Sequence, residues 1–427
     1  MRAINWMLKV TDTEIITFGC RLNSYESEVM RQHARSAGLS NTIIVNTCAV
    51  TAEAERQARQ AIRRARRKNP DSQIIATGCA VQISPEVYAK MPEVNQVLGN
   101  IEKLELESFN FESKDNTRVQ NIMTVRETAN HLIDGFEGRS RAFIQVQNGC
   151  DHRCTFCVIP FGRGNSRSVP MGKVSQQVQK LVSNGYQEIV FTGVDITSYG
   201  ADLPGRPSLG QMVRRVLAAN PNLARLRLSS LDPSEVDDDL LILIAEEPRL
   251  MPHLHLSLQA GDNLILKRMK RRHSREQAIS FTSKVRQLRP DIVFGADFIT
   301  GFPTESDTMF KNTLGLVEEC GLTYLHVFPY SPRPETPAAL MPQVLHQKIK
   351  ERAELLRSVG RKALNKHINN EIGISRSVLI ERDGFGRTEY YTPVQVSGGK
   401  PGRIVKVNIV GRSENKLIGN LKQSANL

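Results

Sequence analysis

Short β-branched runs alternate with amphipathic stretches along most of the chain. In the first third, EIITFGC, TIIVNTC and QIIATGC are each followed by a segment with helical character, and VNQVLG is a fourth apolar run. Short apolar runs of this kind form buried strands, and the segments between them supply helices. The pattern therefore predicts one parallel α/β sheet, with strands at 14–20, 42–48, 73–79 and 94–99.

A second series of strand–helix units follows a polar linker at 101–135, which has room for one hairpin or strand. Its six predicted strands lie at 141–147, 188–193, 225–230, 253–258, 291–301 and 323–331, and a long charged helix is predicted at 343–370. Six βα units are fewer than the eight of a closed (βα)8 barrel. We therefore predict a partial (βα)6 barrel.

The last fifty or so residues are predicted to form short strands broken by Gly, Pro and Asp, which is typical of a small antiparallel β-barrel. From Ile372 to Leu427 there are nine Lys or Arg and four Asp or Glu. A small basic β-barrel at a chain end favours nucleic-acid binding, and a plain capping domain is the alternative. The predicted domains are 11–125, 136–370 and 371–427.

The bulk properties agree with a globular protein and favour a polyanionic partner. Of the 427 residues, 40% are hydrophobic and 24% are charged, and the net charge is +13. Such a charge favours nucleic acid over a merely solubilising surface. No apolar run reaches the ~18 residues of a membrane span, and the first residues lack a signal-peptide core. We expect a cytoplasmic protein without membrane association.

Cysteine is the residue type that carries the chemistry. The seven cysteines are Cys20, Cys48, Cys79, Cys150, Cys154, Cys157 and Cys320. An odd number without a secretion signal argues against a disulfide framework. Three of them form C-x3-C-x2-C, one ligand short of a structural zinc site or a closed iron–sulfur cluster. Three thiolates on a four-iron cluster leave one iron open. The alternative is a zinc site with His152 as its fourth ligand.

The three N-terminal cysteines, Cys20, Cys48 and Cys79, share a position in the pattern. Each is the last residue of a predicted strand. Because parallel strands end at one edge of a sheet, these cysteines are expected to converge there. The alternative is three small buried apolar residues. Cys320 is interpreted as a residue at the end of a helix.

The chain carries two groups of longer motifs. The N-terminal group is TFGCRLNSYESE, VNTCAVTAEAERQARQAIRR and ATGCA, and the central group is GCDHRCTFCVIPFGRG, GVDITSYG, RLRLSSLDP, HLHLSLQAG, LKRMKRRH and YSPRPETPAA. These groups resemble the N-terminal domain and the radical SAM core of one known family, the radical SAM tRNA methylthiotransferases. The terminal barrel resembles its TRAM domain. The resemblance covers nearly the whole chain. The wording is most similar to the MtaB type, which adds a methylthio group to C2 of N6-threonylcarbamoyladenosine at position 37 of tRNA.

The resemblance implies cofactors for both cysteine sets. Cys150, Cys154 and Cys157 would hold a [4Fe–4S] cluster whose open iron binds S-adenosylmethionine, and Cys20, Cys48 and Cys79 would hold a second [4Fe–4S] cluster that carries sulfur. It implies no catalytic residue beyond these ligands. A flavodoxin- or ferredoxin-like electron donor is expected, and the sulfur donor is not identified. The alternatives are methylthiolation of isopentenyladenosine in tRNA or of a ribosomal protein, and a non-catalytic iron–sulfur, RNA-binding redox sensor.

Further contacts follow from the resemblance, with core or loop positions as the alternative. The cofactor-binding candidates are Phe156, Gly193, Val194, Asp195, Ser229 and Gln259. Arg163 and Arg167 follow the cysteine motif and are expected either to meet a carboxylate or phosphate or to form a solvated pair. The chain departs from the expected pattern at Thr300, where an apolar β-branched residue is expected, and at Thr304 and Glu335, where glycine is expected.

Two basic segments are candidates for contact with RNA phosphates, and a solvated surface is the alternative for each. In the predicted helix at 52–69, four arginines recur at spacings of three and four and share a face: Arg56, Arg59, Arg63 and Arg67. The opposite, buried side is assigned to Ala58, Ala61, Ile62 and Ala65. The helix has almost no acidic residues, which favours phosphate contact. Lys267 and Arg268 belong to the second segment, LKRMKRRH. Such contacts position RNA without selecting the nucleoside.

Overall fold

The computed structural model describes residues 13–110, 115–127 and 131–422, which form two compact units. The first unit contains the described residues up to 133 together with 148–152 and 157–167, and the second contains 134–147, 153–156 and the residues from 168 onwards. The predicted domain boundary at residue 11, part of the predicted linker and the last five residues of the predicted terminal domain lie outside the described residues.

A five-stranded parallel sheet organises the first unit, and its strand order follows the chain, β1-β2-β3-β4-β5. The strands are β1 (Glu14–Thr17), β2 (Thr42–Thr47), β3 (Gln73–Gly78), β4 (Gln96–Leu98) and β5 (Thr117–Arg118). The helices are α1 (Arg21–Ser36), α2 (Ala52–Lys68), α3 (Cys79–Ile83), α4 (Pro85–Ala89) and α5 (Ile159–Arg163). The predicted parallel α/β sheet is confirmed.

Helices cover both faces of this sheet. Successive residues of a strand point to opposite faces, so neighbouring residues of β2 belong to different hydrophobic cores. On one face, Ile43 of β2 and Ile74 of β3 share a hydrophobic core with Ile62 of α2. On the other face, Ile44 of β2 packs with Met30 of α1. Burial on both faces explains why these strands are continuous β-branched runs in the sequence.

The barrel strands of the second unit match the six predicted runs. They are β6 (Ala142–Gln145), β9 (Glu188–Thr192), β10 (Arg225–Leu228), β11 (His253–Gln259), β12 (Val293–Thr300) and β13 (Leu322–Pro329). Two short strands, β7 (Gln147–Asn148) and β8 (Arg167–Ser168), lie between β6 and β9 in the chain. The helices are α6 (Met171–Ser183), α7 (Leu209–Ala219), α8 (Asp238–Glu246), α9 (Asn263–Arg268), α10 (Arg275–Leu288), α11 (Asp307–Glu319) and α12 (His346–Glu371).

These strands form two parallel three-stranded sheets, in the orders β10-β9-β6 and β11-β12-β13. A parallel bridge between Leu231 and Leu256 joins the end of β10 to β11. The result is the incomplete six-stranded barrel that the sequence predicts. Within the part of the chain that the structure describes, no helix is long and apolar enough to cross a bilayer.

A closed five-stranded barrel ends the second unit. Its strands are β14 (Ser375–Arg382), β15 (Phe385–Thr388), β16 (Pro393–Ser397), β17 (Ile404–Ser413) and β18 (Lys416–Leu421), in the order β14-β15-β16-β18-β17. Val378, Val394 and Leu417 form its core, to which Ile368 of α12 adds. The predicted barrel is confirmed, although its β16–β18 pair is parallel and the prediction was antiparallel throughout.

The three departures from the expected pattern are structurally distinct positions. Thr304 and Glu335 stand where glycine is expected, and both adopt left-handed backbone angles, with φ of +68° and +63°. Glycine takes such angles without the steric cost that a Cβ imposes. Thr300 is fully buried, and its hydroxyl has no hydrogen-bond partner within the described residues.

Candidate active site

The three N-terminal cysteines lie in the connections that follow β1, β2 and β3. Cys48 directly follows β2, and Cys79 follows β3 as the first residue of α3, whereas Cys20 lies three residues beyond β1 and caps the N-terminus of α1. The prediction that each is the last residue of its strand was therefore wrong by one to three residues. These connections turn from strand to helix, so they still leave the same edge of the sheet.

The structure brings these cysteines together into what we call the N-terminal thiol site (Cys20, Cys48 and Cys79). Gly19 has a φ of +91°, and a Cβ on it would lie 2.8 Å from the Sγ of Cys48. Glycine is thus required for this close approach. Burial raises the pKa of Cys48 to about 12, and charge on the neighbouring Cys79 and Cys20 thiols adds to the shift.

A buried arginine contacts this site. The Nε–H of Arg163, the last residue of α5, donates to the Sγ of Cys79 over 3.0 Å. Its two terminal nitrogens donate to both carboxylate oxygens of Glu26 and to the amide oxygen of Asn23. Only 2% of the Arg163 side chain is exposed. The guanidinium is therefore held in one orientation, with one edge toward a thiol.

Glu26 is shared by a second buried cation. The Lys103 Nζ donates to Glu26 over 2.6 Å, and neither side chain is exposed. Burial alone would raise the pKa of Glu26, but Arg163 and Lys103 hold it below its usual range. Burial lowers the pKa of Lys103, an effect that Glu26 opposes. The site therefore combines three thiols with two cationic side chains and one carboxylate.

For Arg163 and Arg167 the solvated-pair interpretation was wrong, since both are at most 3% exposed. Arg163 meets a carboxylate, and Arg167 donates to the carbonyl oxygens of Arg163 and Val125. Glu26, Asn23 and Lys103 were not predicted as site residues from the sequence. Asn23 and Glu26 are three residues apart on one face of α1, so polar residues within a buried helix face were the available signal.

The second cysteine set is contained in the eight residues 150–157, and all three of its cysteines are partly exposed. In the first unit, the Cys150 N–H donates to the carbonyl of Gly164 over 3.0 Å. In the second unit, Thr155 donates from its N–H to Met269 and from its hydroxyl to Arg268, and its carbonyl accepts from Ala338. Thr155, the residue after Cys154, is therefore held by hydrogen bonds to two separate segments of the chain, at 268–269 and at 338.

An arginine approaches this set as well. Arg271 Nη1 lies 3.7 Å from the Sγ of Cys154, and Nη2 donates to Asp232 and to the carbonyl of Ser257, both over 2.8 Å. Burial alone would raise the pKa of Asp232, but Arg271 and its other partners lower it. Arg272 also contacts Asp232, at 3.5 Å, and pairs with Glu235.

The predicted cofactor contacts after β9 form a tight turn. The Gln147 side-chain oxygen accepts from the N–H groups of Val194 and Asp195, over 3.0 and 2.8 Å. Gly193 allows this approach, because a Cβ there would lie 2.7 Å from the Gln147 carbonyl oxygen. The Asp195 carboxylate accepts from Thr197 and Ser198. Cofactor contact by these residues stays a prediction.

The remaining cofactor candidates lie at strand ends or in the core. Ser229 directly follows β10, and its N–H donates to the carbonyl of Phe191 in β9. Gln259 is the last residue of β11 and has a φ of +68°. Phe156 is partly buried and packs edge-on against Phe302, with ring centroids 6.4 Å apart, at the side of a hydrophobic core. The structure gives Phe156 a packing role, and its predicted cofactor role stays untested.

The barrel strands also carry a polar cluster that the sequence analysis missed. One carboxylate oxygen of Asp297 on β12 lies 2.9 Å from His255 Nε2 on β11 and 3.1 Å from His326 Nδ1 on β13. One atom from each of these residues could ligate a metal ion, and the three atoms lie within 4.8 Å of one another. Hydrogen bonds from the two histidines hold the pKa of Asp297 well below its usual range, although burial alone would raise it.

The arginine face of α2 is partly neutralised, contrary to the expectation that acidic residues were almost absent. Arg56 pairs with Glu53 at 2.6 Å, Arg59 lies 3.9 Å from Glu55, and Arg63 lies 4.0 Å from a carboxylate outside the helix. The opposite side buries Ala58, Ile62 and Ala65 as predicted, with Ala61 half-buried. Arg67 is exposed.

The second basic segment divides by exposure. Lys267 is exposed, while Arg268 is half-buried and donates to the hydroxyl of Thr304 over 2.7 Å. Arg271 and Arg272, described above, are engaged with acidic residues. RNA contact by Lys267 and Arg268 stays a prediction.

Comparison with known protein families matches three regions. Residues 12–99 match "Uncharacterized protein family UPF0004", residues 144–317 match "Radical SAM superfamily" and residues 372–422 match "TRAM domain". Among solved structures, the radical S-adenosylmethionine methyltransferase TsrM from Kitasatospora setae superposes with a TM-score of 0.56 at 15% identity, over 77% of each chain. The radical enzyme OxsB superposes with a TM-score of 0.51 at 12% identity, over 82% of this chain and 56% of its own. These likenesses concern the fold.

Curated relatives match over nearly the whole chain. "Threonylcarbamoyladenosine tRNA methylthiotransferase MtaB" of Rickettsia prowazekii is 53% identical over 94% of this chain and 95% of its own. The Aquifex aeolicus protein of the same name is 35% identical, over 92% and 98%. "tRNA-2-methylthio-N(6)-dimethylallyladenosine synthase" of Cereibacter sphaeroides is 33% identical, over 95% and 97%.

The partial barrel, the C-x3-C-x2-C motif and the matched regions define a radical SAM protein with a terminal TRAM domain. This class uses S-adenosylmethionine and a [4Fe–4S] cluster. Within it, the chain belongs to the MtaB-type methylthiotransferase family. The predicted family is thereby confirmed.

Proposed function

We propose that this protein is a tRNA methylthiotransferase that adds a methylthio group to C2 of N6-threonylcarbamoyladenosine at position 37. The observation that carries the proposal is the 53% identity, over 94% of the chain, to a relative named for threonylcarbamoyladenosine tRNA. The relative named for dimethylallyladenosine is 33% identical and supports the second candidate, methylthiolation of that nucleoside.

Cys150, Cys154 and Cys157 are proposed to hold the [4Fe–4S] cluster that binds S-adenosylmethionine. When bound, this cluster supplies the electron that cleaves S-adenosylmethionine to methionine and a 5′-deoxyadenosyl radical. Thr155 fixes the backbone beside Cys154, and Arg271 approaches the Cys154 sulfur. Gly193 to Asp195 and Gln147 form a rigid turn that would bind the methionine part of the cofactor.

The N-terminal thiol site fits a second anionic iron–sulfur cluster. Three thiols converge there, and thiolates are the ligands of such clusters. The two buried cationic side chains share one carboxylate, so an anionic group beside them offsets charge that would otherwise be costly to bury. We propose that Cys20, Cys48 and Cys79 hold this cluster and present the sulfur that is transferred.

The proposed partner is tRNA, positioned by the basic residues of α2, by the exposed Lys267 and the half-buried Arg268, and by the TRAM domain. The domain division at 11–125, 136–370 and 371–427, a cytoplasmic location and a flavodoxin- or ferredoxin-like electron donor belong to the same proposal. The net charge of +13 supports a polyanionic partner.

The test combines cofactor cleavage with nucleoside analysis. The protein is reconstituted anaerobically with iron and sulfide, reduced, and given S-adenosylmethionine and tRNA from a strain lacking its gene. We expect 5′-deoxyadenosine and 2-methylthio-N6-threonylcarbamoyladenosine by mass spectrometry. Absence of 5′-deoxyadenosine would exclude radical chemistry, and methylthiolation of dimethylallyladenosine instead would favour the second candidate.

A further inference from the structure

The contact between Arg163 and Cys79 has a role that burial alone does not explain. The two residues are separated by 84 positions in the chain, yet the Nε–H of Arg163 is directed at the thiol over 3.0 Å. The other edge of the guanidinium is occupied by Glu26 and Asn23. Because the guanidinium is planar and Glu26 and Asn23 fix one of its edges, the direction of its Nε–H is fixed as well. This N–H is therefore held pointing at the Cys79 sulfur.

The network that aims it is itself anchored. Asn23 donates to the carbonyls of Phe18 and Thr47, which lie next to the connections that carry Cys20 and Cys48. Lys103 donates to Glu26 and, over 3.4 Å, to Asn46. The same side chains therefore fix the guanidinium and the backbone around the other two thiols.

The charges of this network point to what lies beside it. Arg163 and Lys103 are at most 2% exposed and share Glu26 as carboxylate partner. A buried excess of positive charge is unfavourable unless an anion lies next to it. Cys79 is in direct contact, and the other two thiols are its neighbours. Thiolates that ligate a metal cluster would supply the missing negative charge.

We infer that Arg163 is a positioning residue that orients the Cys79 sulfur toward an iron–sulfur cluster and, through its N–H···S hydrogen bond and its charge, raises the reduction potential of that cluster. Hydrogen bonds to cluster sulfurs and nearby positive charge favour the reduced form, which carries one more negative charge. The inference rests on the proposed role of Cys20, Cys48 and Cys79.

The test isolates the second cluster in the full-length chain by replacing Cys150, Cys154 and Cys157 with alanine. Arg163→Gln and Arg163→Lys are introduced into this parent, and Arg118→Gln serves as the matched control. Arg118 is an arginine of the same unit that donates to the carbonyls of Glu107 and Ser108. After anaerobic reconstitution, bound iron, circular dichroism and the midpoint potential from an EPR-monitored titration are measured.

We expect the midpoint potential to become more negative in Arg163→Gln and to shift less in Arg163→Lys, which keeps the charge. The control should match the parent. Loss of iron from a folded Arg163→Gln chain would also support the role in orienting Cys79. If Arg163→Gln does not fold, the midpoint potential of Arg163→Lys is used: a more negative value than in the parent supports the inference, and an unchanged value overturns it. Full iron with an unchanged potential would overturn the inference. A parent that binds no iron would instead contradict the proposed second cluster itself.

Discussion

The two cysteine sets differ in how the chain builds them, although each has an arginine directed at one sulfur. The N-terminal thiol site collects three residues from separate strand–helix connections around the buried Arg163, whose Nε lies 3.0 Å from Cys79. The second set lies within eight consecutive residues, and Arg271 lies 3.7 Å from Cys154. A distributed set needs buried side chains to hold it together. A local set is brought together by its own stretch of chain, which backbone hydrogen bonds to Gly164, Met269 and Ala338 then fix.

The largest expected effect separates the two sets by function. Cys154→Ala should abolish both 5′-deoxyadenosine formation and methylthiolation, because it removes a proposed ligand of the cluster that binds S-adenosylmethionine. Cys20→Ala should abolish methylthiolation while sparing cofactor cleavage, because it affects only the N-terminal thiol site. Both products are quantified by mass spectrometry after one reaction with tRNA. Cys320→Ala, at a buried helix end, is the control. Equal loss of both products in Cys20→Ala would contradict the separation of roles.

The next largest effect is on stability, and it concerns the carboxylates that the two arginines contact: Glu26 beside Arg163 and Asp232 beside Arg271. Glu26→Gln leaves two buried cations without their carboxylate, which should lower the free energy of unfolding of the metal-free protein by about 4 kcal/mol. Asp232→Asn should cost about 2 kcal/mol, because Arg272 is 35% exposed and also pairs with Glu235. Urea unfolding monitored by circular dichroism measures both. Equal losses would show that the two networks are equally dependent on their acid.

The contrast also explains which parts of the sites the sequence predicts. The local motif is visible in the order of residues, and parallel strands indicate that Cys20, Cys48 and Cys79 share a sheet edge. The Arg163–Cys79 contact joins residues 84 positions apart, so no local pattern carries it. For Arg163 the sequence left a carboxylate contact and a solvated pair open, since only tertiary burial distinguishes them.

The fold was easier to predict than the charges. The six barrel strands and the terminal barrel follow from apolar periodicity and turn residues, which are local properties. On α2, by contrast, the pairing of Arg56 with Glu53 depends on side-chain geometry within the first helical turn. The i, i+3 spacing of these two residues is visible in the sequence, and opposite charges at that spacing can pair on a helix surface.

Mild acid should weaken the network beside Cys154 before the N-terminal one. Burial lowers the pKa of His273 to about 4, and Arg271 adds to this effect while Asp232 opposes it. The unfolded chain takes up this proton near pH 6.5 and the folded chain does not, so stability falls as pH drops toward 4. The loss should reach about 2 kcal/mol at pH 5. The pKa of Glu26 is lowered in the folded protein instead. The stability that its carboxylate contributes is therefore fully present above the pKa of the unfolded chain, and it is lost only when the pH falls through the lower folded-state pKa.

The measurement is urea unfolding at pH 7 and pH 5 for the unchanged protein and for His273→Gln. The variant replaces the titrating ring with a neutral amide, so its stability should change by about 2 kcal/mol less between the two pH values. His346→Gln is the control, because it replaces a histidine that begins α12 and is distant in sequence from this network. An identical pH dependence in all three proteins would show that His273 does not cause the loss of stability between pH 7 and pH 5.

The smallest expected effect tests the backbone that supports the local set. Glu335 is exposed, has a φ of +63° and lies three residues before Ala338, whose N–H donates to the carbonyl of Thr155 beside Cys154. Glu335→Gly should raise the free energy of unfolding by about 0.5–1 kcal/mol, because glycine adopts this angle without a Cβ clash. Lys362→Gly, at an exposed site within α12, should instead lower it by about 1 kcal/mol. Thermal unfolding of the two variants measures these opposite signs. If both variants destabilise equally, the positive φ at residue 335 costs nothing, and the local cysteine set is held by an unstrained backbone.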